Sequence, residues 1–253
     1  MRGRGKASLV KFDRIGDIAC TRLSPGRTEE NVRTANEIVA QNPGIRCVAN
    51  RVSPASGAFR VAGYEVLSGS GTVTCHRESG FSYGLDLRSA FFDPRLAHER
   101  KRVAGMVLPG EKVLIPFAGV GPFAIPVAAR GATVVTADIS RECCRWLLHN
   151  ARQNRVEKNI TVLCADAGDL PSMISTTFDR AILPAPYGMD TIAVRLAPLL
   201  KEGGTIHAYH FKKAHQIPDL MEWYATFGFP VVASRRCGNV APGVCRWALE
   251  IRA

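Results

Sequence analysis

Hydrophobic residues form two different patterns along the chain, and the change falls near residue 86. From Ser8 to about Gly84 the apolar residues come in short runs broken by prolines and glycines, which is typical of a small α+β unit. The runs are Phe12–Ile18, Ile45–Val48, Phe59–Val61 and Tyr64–Leu67. One helix is predicted from Glu29 to Ala40, where apolar residues recur at helical spacing behind an acidic first turn.

After Asp86, apolar runs of strand length alternate with longer amphipathic segments, as in parallel βαβ units. The predicted strands are Val113–Phe117, Thr133–Ala137, Thr161–Cys164, Arg180–Leu183 and Thr205–Tyr209, and the predicted helices are Phe123–Arg130, Arg141–Asn154 and Thr191–Leu200. Two further strands, Phe229–Ser234 and Arg246–Ile251, are joined through Gly238 and Pro242-Gly243. We therefore predict an α/β fold: a Rossmann-like doubly wound sheet in residues 86–253, preceded by a small α+β domain in residues 1–85.

The most specific local signal is the glycine-rich turn within Val113–Phe123. Gly119 and Gly121 let the backbone turn tightly after a strand, and a helix is predicted to begin at Pro122. Asp138 ends the next strand, where a carboxylate can accept hydrogen bonds from both hydroxyls of a ribose, and Asp166 follows the third strand. This order indicates a cofactor that contains adenosine. The alternative is an ordinary turn followed by two aspartates that cap helices.

The type of cofactor follows from features beyond the turn itself. Ala124 stands where the dinucleotide fingerprint has its third glycine, so the turn alone separates NAD only weakly from S-adenosylmethionine. The wide spacing of the acids and the lack of a second mononucleotide-binding half both favour S-adenosylmethionine, and no catalytic lysine, tyrosine or histidine stands out for an oxidoreductase.

The composition of the chain indicates which kinds of partner it binds. Lysine and arginine outnumber aspartate and glutamate by 33 to 22, a net charge of +11, which favours a polyanion such as nucleic acid over a merely solubilising surface. No apolar run approaches the roughly 20 residues of a membrane-spanning helix and no secretory signal core follows the N-terminus, so we expect a cytoplasmic protein without membrane contact. The eight cysteines form no CxxC pair, which predicts buried thiols and no metal.

Four segments carry a resemblance to a known family. They are Phe12–Ile18, Gly57–Arg60, Phe91–Arg100 and Phe117–Pro126. In these segments the chain resembles the archaeal and eukaryotic tRNA (guanine-37-N1)-methyltransferases, a group that also includes the wybutosine-synthesising aminocarboxypropyltransferases. The resemblance implies a class I methyltransferase fold, S-adenosylmethionine as cofactor and tRNA as partner. It leads us to expect a monomer that lacks the further N-terminal domain of many longer members.

The same resemblance implies site residues. Glu99 matches the proposed general base, and Arg60 matches the arginine that contacts the target guanine. The implied cofactor-binding positions are Arg100, Phe117, Gly119, Gly121, Asp138, Ile139, Asp166, Ala167 and Pro184. Pro186 and Tyr187 lie on the loop that is expected to face the substrate base.

The pair of Glu99 and Arg60 fits the chemistry of guanine. N1 carries a proton at neutral pH, so methyl transfer needs a base nearby, and the negative charge that then forms on O6 can be stabilised by a guanidinium. A glutamate with an ordinary pKa of about 4.3 is a weak base, so this role predicts a partly desolvated setting that raises the pKa of Glu99. Without the resemblance, the sequence around Glu99 predicts a surface residue of a charged helix, and Arg60 is predicted to contact a phosphate or to be solvated.

Departures from the family pattern keep three functions open. Ile115 stands where an aspartate is usual, Pro184 where an asparagine is usual, and Phe91 where a tyrosine is usual. Residues Ala241–Val244 resemble the aminocarboxypropyltransferase branch, whereas Pro94–Leu96 and the segment after Gly121 resemble the methyltransferase branch. The leading prediction is methyl transfer to N1 of guanine 37 in tRNA. The alternatives are transfer of a 3-amino-3-carboxypropyl group and a tRNA-binding homologue with impaired catalysis.

Overall fold

The computed structural model describes residues 10–53 and 62–253. The chain divides into two compact units. The first contains the residues up to His76 together with Gly84–Pro94, and the second contains Arg77–Tyr83 and Arg95–Ala253. The boundary expected after residue 85 falls within the segment Gly84–Pro94, which belongs to the first unit.

The first unit is a four-stranded sheet with one long helix. Its elements are β1 (Asp13–Ile15), β2 (Ile18–Thr21), α1 (Glu29–Gln41), β3 (Cys47–Arg51) and β4 (Tyr64–Ser68), and the sheet order is β1-β2-β3-β4. The helix predicted at Glu29–Ala40 is confirmed. It begins after Thr28, whose side chain accepts a hydrogen bond from the Asn31 amide at 3.2 Å. Ala35 and Ile38 of α1 pack with Val48 and Leu67 of the sheet. The predicted run Phe59–Val61 lies outside the described residues.

A hairpin follows, in which β5 (Val73–Glu78) pairs with β6 (Phe81–Asp86). The sequence did not predict this hairpin as a separate element, because its polar residues interrupt the apolar pattern.

The second unit is a seven-stranded sheet with helices between its strands. Its elements are α2 (Ala97–Gly105), β7 (Lys112–Pro116), α3 (Ala124–Ala128), β8 (Thr133–Asp138), α4 (Arg141–Gln153), β9 (Ile160–Cys164), α5 (Leu170–Met173), β10 (Phe178–Leu183), α6 (Ile192–Leu196), β11 (Leu200–Lys212), α7 (Ile217–Thr226), β12 (Val231–Ala241) and β13 (Val244–Arg252). The strand order is β12-β13-β11-β10-β7-β8-β9. Strands β7 to β11 run parallel, and β13 is antiparallel to both β11 and β12. The predicted doubly wound sheet with an added strand pair is confirmed.

Several predicted bounds are wrong. Helix α3 begins at Ala124 rather than Pro122, and α6 ends at Leu196, because Pro198 lacks the amide hydrogen that would continue it. Strand β11 is longer than the predicted Thr205–Tyr209 and runs for 13 residues. Gly238 lies inside β12, at a φ of 128° and within the register shift between Arg236 and Asn239, so the turn of the hairpin is at Pro242-Gly243 alone.

Most of the cysteines are buried thiols, as predicted. All eight are free thiols and five are buried: Cys20, Cys47, Cys143, Cys144 and Cys245. Within residues 10–53 and 62–253, no helix is long and apolar enough to cross a membrane.

Candidate active site

The glycine-rich turn follows the carboxyl end of β7, at the sheet edge where open α/β folds bind ligands. Phe117, Gly119 and Gly121 have φ values of 55°, 54° and 93°. At Gly121 a Cβ atom would lie 3.2 Å from side-chain atoms of Ile125 and Leu147, so glycine is required by both conformation and space. At Gly119 a Cβ would have no other heavy atom within 4 Å, so open space lies beside the backbone.

Asp138, at the end of β8, is joined to this turn. The Gly119 amide donates to its Oδ2 at 2.8 Å and the Ser140 amide donates to its Oδ1 at 2.9 Å. Burial raises the pKa of Asp138, and these two amides only partly offset that rise. The helix α4 is capped by Ser140, whose hydroxyl accepts from the Cys143 amide. The alternative that Asp138 caps a helix is therefore wrong.

The residues beside Asp138 differ in exposure. Ile139 is 46% exposed, and Ala167 is buried. Asp166 is exposed and its Oδ1 accepts from the Gly168 amide at 2.7 Å, so for Asp166 the capping alternative is confirmed. A cap and a ligand contact are compatible, since a carboxylate has further acceptor sites.

Glu99 is a buried residue of α2, with 5% exposure, and the alternative that it lies on a charged surface is wrong. Arg102 donates to both of its oxygens, from Nε at 2.8 Å and from Nη2 at 2.6 Å. The Tyr209 hydroxyl of β11 donates to the same carboxylate at 2.9 Å.

These hydrogen bonds decide the ionisation of Glu99. Burial raises its pKa, but the bonds from Arg102 and Tyr209 outweigh burial, and the net pKa is lowered. The predicted upward shift is therefore wrong in this arrangement. The sequence contained part of the reason, because Arg102 lies three residues after Glu99 on one helix. Tyr209 lies 110 residues away and gave no signal.

Tyr209 also links Glu99 to the glycine-rich turn. Its buried ring lies 5.5 Å from the ring of Phe123, which follows Gly121-Pro122 directly. The candidate base and the turn are thus held together by one aromatic side chain.

Arg100 forms an ion pair with Glu78 in the same unit. It is 2% exposed, and its Nε donates to Glu78 Oε1 at 2.7 Å while Nη2 donates to Oε2. Its expected contact with a cofactor stays a prediction. Arg60 lies outside the described residues, and its expected contact with the target guanine stays a prediction as well.

The loop after β10 carries Pro184, Pro186 and an exposed Tyr187. Its end is held by Asp190, whose carboxylate accepts from His210 Nδ1 at 3.0 Å and from Lys212 Nζ at 2.6 Å. Sequence reasoning did not identify Asp190. Ile115, the first departure from the family pattern, is completely buried in β7 and packs as a core residue.

Replacing Asp190 with asparagine is expected to change stability at acid pH. Hydrogen bonds from His210 and Lys212 lower the pKa of Asp190 from 3.8 to about 2. A carboxylate with a depressed pKa stabilises the fold above its unfolded value, and this contribution is lost as pH falls from 3.8 towards 2. Urea unfolding of the wild type and Asp190→Asn should therefore differ at pH 6 and converge near pH 2. A gap that persists unchanged at pH 2 would contradict this.

Within the described ranges no group of histidine, cysteine, aspartate and glutamate side chains is arranged to hold a metal ion.

Comparison with known proteins decides the family. Residues 74–222 match the model of the TRM5/TYW2 methyltransferase domain. The chain belongs to the TRM5/TYW2 methyltransferase family. Residues 6–72 match the TYW2 N-terminal domain.

Two relatives represent the two branches. A Danio rerio protein named tRNA (guanine(37)-N(1))-methyltransferase is 38% identical over 65% of this chain and 35% of its own length. The chain thus spans about a third of that relative. A Pyrococcus horikoshii protein named tRNA(Phe) (4-demethylwyosine(37)-C(7)) aminocarboxypropyltransferase is 30% identical over 96% of this chain and 88% of its own length.

Solved structures agree with the fold. The structure of aTrm5 in complex with tRNALeu superposes with a TM-score of 0.86 at 27% identity, covering 97% of this chain and 72% of that one. The P. horikoshii TYW2 structure in complex with MeSAdo has a TM-score of 0.80 at 25% identity, covering 96% of this chain and 90% of that one.

Proposed function

We propose that this protein transfers a methyl group from S-adenosylmethionine to N1 of guanine 37 in tRNA. The observation that carries the proposal is the buried carboxylate of Glu99, joined through Tyr209 to the glycine-rich turn. The methyltransferase relative from D. rerio and the tRNA-bound neighbour support the reaction and the substrate class.

The residues around the turn fit an adenosine-containing cofactor. Open space lies beside Gly119, which permits close approach of a ligand to the backbone. Asp138 uses one acceptor site on each oxygen for backbone amides, so further sites remain for ribose hydroxyls. Ile139 offers an exposed apolar surface to an adenine ring. The neighbour bound to MeSAdo supports the same class of ligand.

The protein's own residues would supply a base and hold it in place. The cofactor brings an electrophilic methyl group on sulfur. The lowered pKa leaves the Glu99 carboxylate ionised at neutral pH but makes it a weaker base than the raised pKa expected from the sequence would. It would therefore take the N1 proton as N1 forms its bond to the methyl carbon and the carbon–sulfur bond breaks, because bond formation makes that proton more acidic. Arg102 and Tyr209 fix the carboxylate in one orientation, which favours a productive geometry for proton transfer.

A second candidate is transfer of the 3-amino-3-carboxypropyl group. It is favoured by the match of residues 6–72 to the TYW2 N-terminal domain and by the near full-length similarity to the P. horikoshii transferase. The two reactions differ in which carbon attached to the sulfonium meets the nucleophile.

One experiment tests both candidates. The purified protein is incubated with S-adenosylmethionine and either an unmodified tRNA transcript with guanine 37 or tRNA that carries the tricyclic wyosine precursor. Mass spectrometry then identifies the modified nucleoside and the spent cofactor. We expect 1-methylguanosine and S-adenosylhomocysteine from the transcript. Methylthioadenosine with the precursor tRNA would instead support the second candidate, and no product from either RNA would refute both.

Replacing Asp138 with asparagine is expected to weaken S-adenosylmethionine binding by about 10- to 100-fold, because hydrogen bonds to a charged acceptor contribute about 1.5–3 kcal/mol. Asparagine keeps a carbonyl that can accept from the Gly119 amide, so the turn should survive. Calorimetric titration measures the affinity. The control is Asp219→Asn in the exposed first turn of α7, which should bind like the wild type. Equal affinity in Asp138→Asn and the control would remove Asp138 from the cofactor site.

A further inference from the structure

An aromatic and cationic cluster lies on the sheet face beyond the candidate base. The ring of Tyr187, which is 64% exposed, lies 6.0 Å from the ring of Phe211 on β11. The guanidinium carbon of Arg246 on β13 lies 5.3 Å from the centroid of the Phe211 ring. Phe211 and Arg246 are both half-buried. We call these three residues, Tyr187, Phe211 and Arg246, the aromatic platform.

Strand geometry ties the platform to Glu99. Phe211 follows Tyr209 by two residues on β11, so both side chains point to the same face of the sheet, about 7 Å apart along the strand. Arg246 is the direct cross-strand partner of Phe211 and shares that face. Tyr209 holds Glu99. Phe211 therefore lies two residues beyond Tyr209, which binds the candidate base Glu99, towards the carboxyl end of β11.

The chemistry of the platform suits a nucleobase. Single-stranded nucleic acids bind by stacking bases on exposed aromatic rings and on guanidinium planes, with cations beside them for the phosphates. The exposed Lys213, two residues after Phe211, supplies such a cation, whereas Lys212 is paired with Asp190. A partner protein would fit this mixture of rings and positive charge less well. It would need acidic side chains at the centre of its interface to pair with Arg246.

We propose that the aromatic platform stacks an unpaired nucleotide adjacent to the target guanine, on its 5′ or its 3′ side. This inference rests on the proposed function, since it takes the RNA bound at Glu99 as its ligand. Target and neighbour would then be held by separate groups, with the target at Glu99 and the neighbour on the rings. Tyr187 would thus contact the neighbouring nucleotide rather than the target base that its loop was expected to face.

Substitutions that remove the rings or the guanidinium plane test the platform. Phe211→Leu keeps an apolar side chain but removes the ring, and we expect tRNA affinity to fall by about 5- to 100-fold, the usual range for losing one base stack. Phe211→Trp should restore the affinity. Arg246→Lys keeps the charge and removes the plane, and should also weaken binding. The control is Phe227→Leu, which removes the ring of an exposed phenylalanine directly after α7.

An abasic substitution identifies the ligand of the platform. Wild type and Phe211→Leu are titrated with an anticodon stem-loop RNA that carries an abasic site on the 5′ or the 3′ side of the target guanine. At one of these positions the loss of the base should weaken wild-type binding and should have little further effect on Phe211→Leu, because the two changes remove the same stack. Equal penalties in both proteins at both positions would overturn the inference, as would Phe211→Leu affinity equal to that of the control.

The outcomes separate this inference from the proposed function. Wild type that binds and modifies tRNA while every platform variant does so equally well would overturn the platform alone. Wild type that binds no tRNA would overturn the proposed function and the platform together. Thermal unfolding of each variant identifies any loss of fold, and Tyr187→Leu provides a second ring deletion on a separate loop.

Discussion

Replacing Glu99 with glutamine is expected to lower the rate of nucleoside formation by about 10²- to 10⁴-fold, the usual contribution of a general base. Glutamine has nearly the shape of glutamate and its carbonyl can accept the Tyr209 hydrogen bond, but its amide cannot take a proton from guanine N1. Binding of S-adenosylmethionine should be retained. Single-turnover rates with tRNA at saturating cofactor measure the effect without interference from product release.

Glu142→Gln is the matched control for this experiment. Glu142 also pairs with an arginine three residues later on a helix, Arg145, but both side chains are exposed. Its loss should leave the rate within about twofold of the wild type, because exposed ion pairs contribute little. A Glu99→Gln rate close to that of Glu142→Gln would exclude Glu99 as the base.

Replacing Arg100 with methionine is expected to lower the free energy of unfolding by about 3–5 kcal/mol, because it leaves a buried carboxylate without its cation. The side chains of Arg100 and Glu78 are only 2% and 6% exposed. Methionine is unbranched and fills most of the space, so loss of charge pairing dominates the effect. Urea unfolding of the full chain measures the change.

Arg145→Met provides the comparison, with an expected loss of about 0–1 kcal/mol from its exposed pair. A similarly small loss for Arg100→Met would mean that the Glu78–Arg100 pair contributes little to the fold. Cofactor affinity of Arg100→Met, measured at a temperature where it remains folded, separates its structural role from the predicted cofactor contact. Normal affinity would remove Arg100 from the cofactor site.

Local features of the fold were accessible to sequence reasoning. Helix α1 and strands β7 to β10 each carry an apolar periodicity that depends on neighbouring residues alone, and their positions were predicted within a few residues. The turn at Gly119 and Gly121 was found because positive φ values call for glycine. The position of Asp138 beside this turn was predictable because strand ends in parallel sheets meet at one edge.

Contacts between distant segments were not accessible in the same way. The ionisation of Glu99 depends on Tyr209, and the platform depends on the register that sets Phe211 opposite Arg246. Register is a property of the paired strands and of the irregular segments between them, which no single window of sequence contains. The direction of the Glu99 pKa shift was predicted wrongly because burial was foreseen, whereas the hydrogen bonds from Arg102 on the same helix and from the distant Tyr209 were not.

The last hairpin has features that bear on self-association of the protein. Among the described residues, strand β12 ends the sheet and one row of its backbone groups faces no other strand. Such an edge can recruit strands from other molecules and begin aggregation. Arg235 and Arg236 place positive charge on this edge, and the irregular register on either side of Asn239 disturbs the flat geometry that a second strand would need. We therefore expect these two features to oppose self-association at the edge formed by β12.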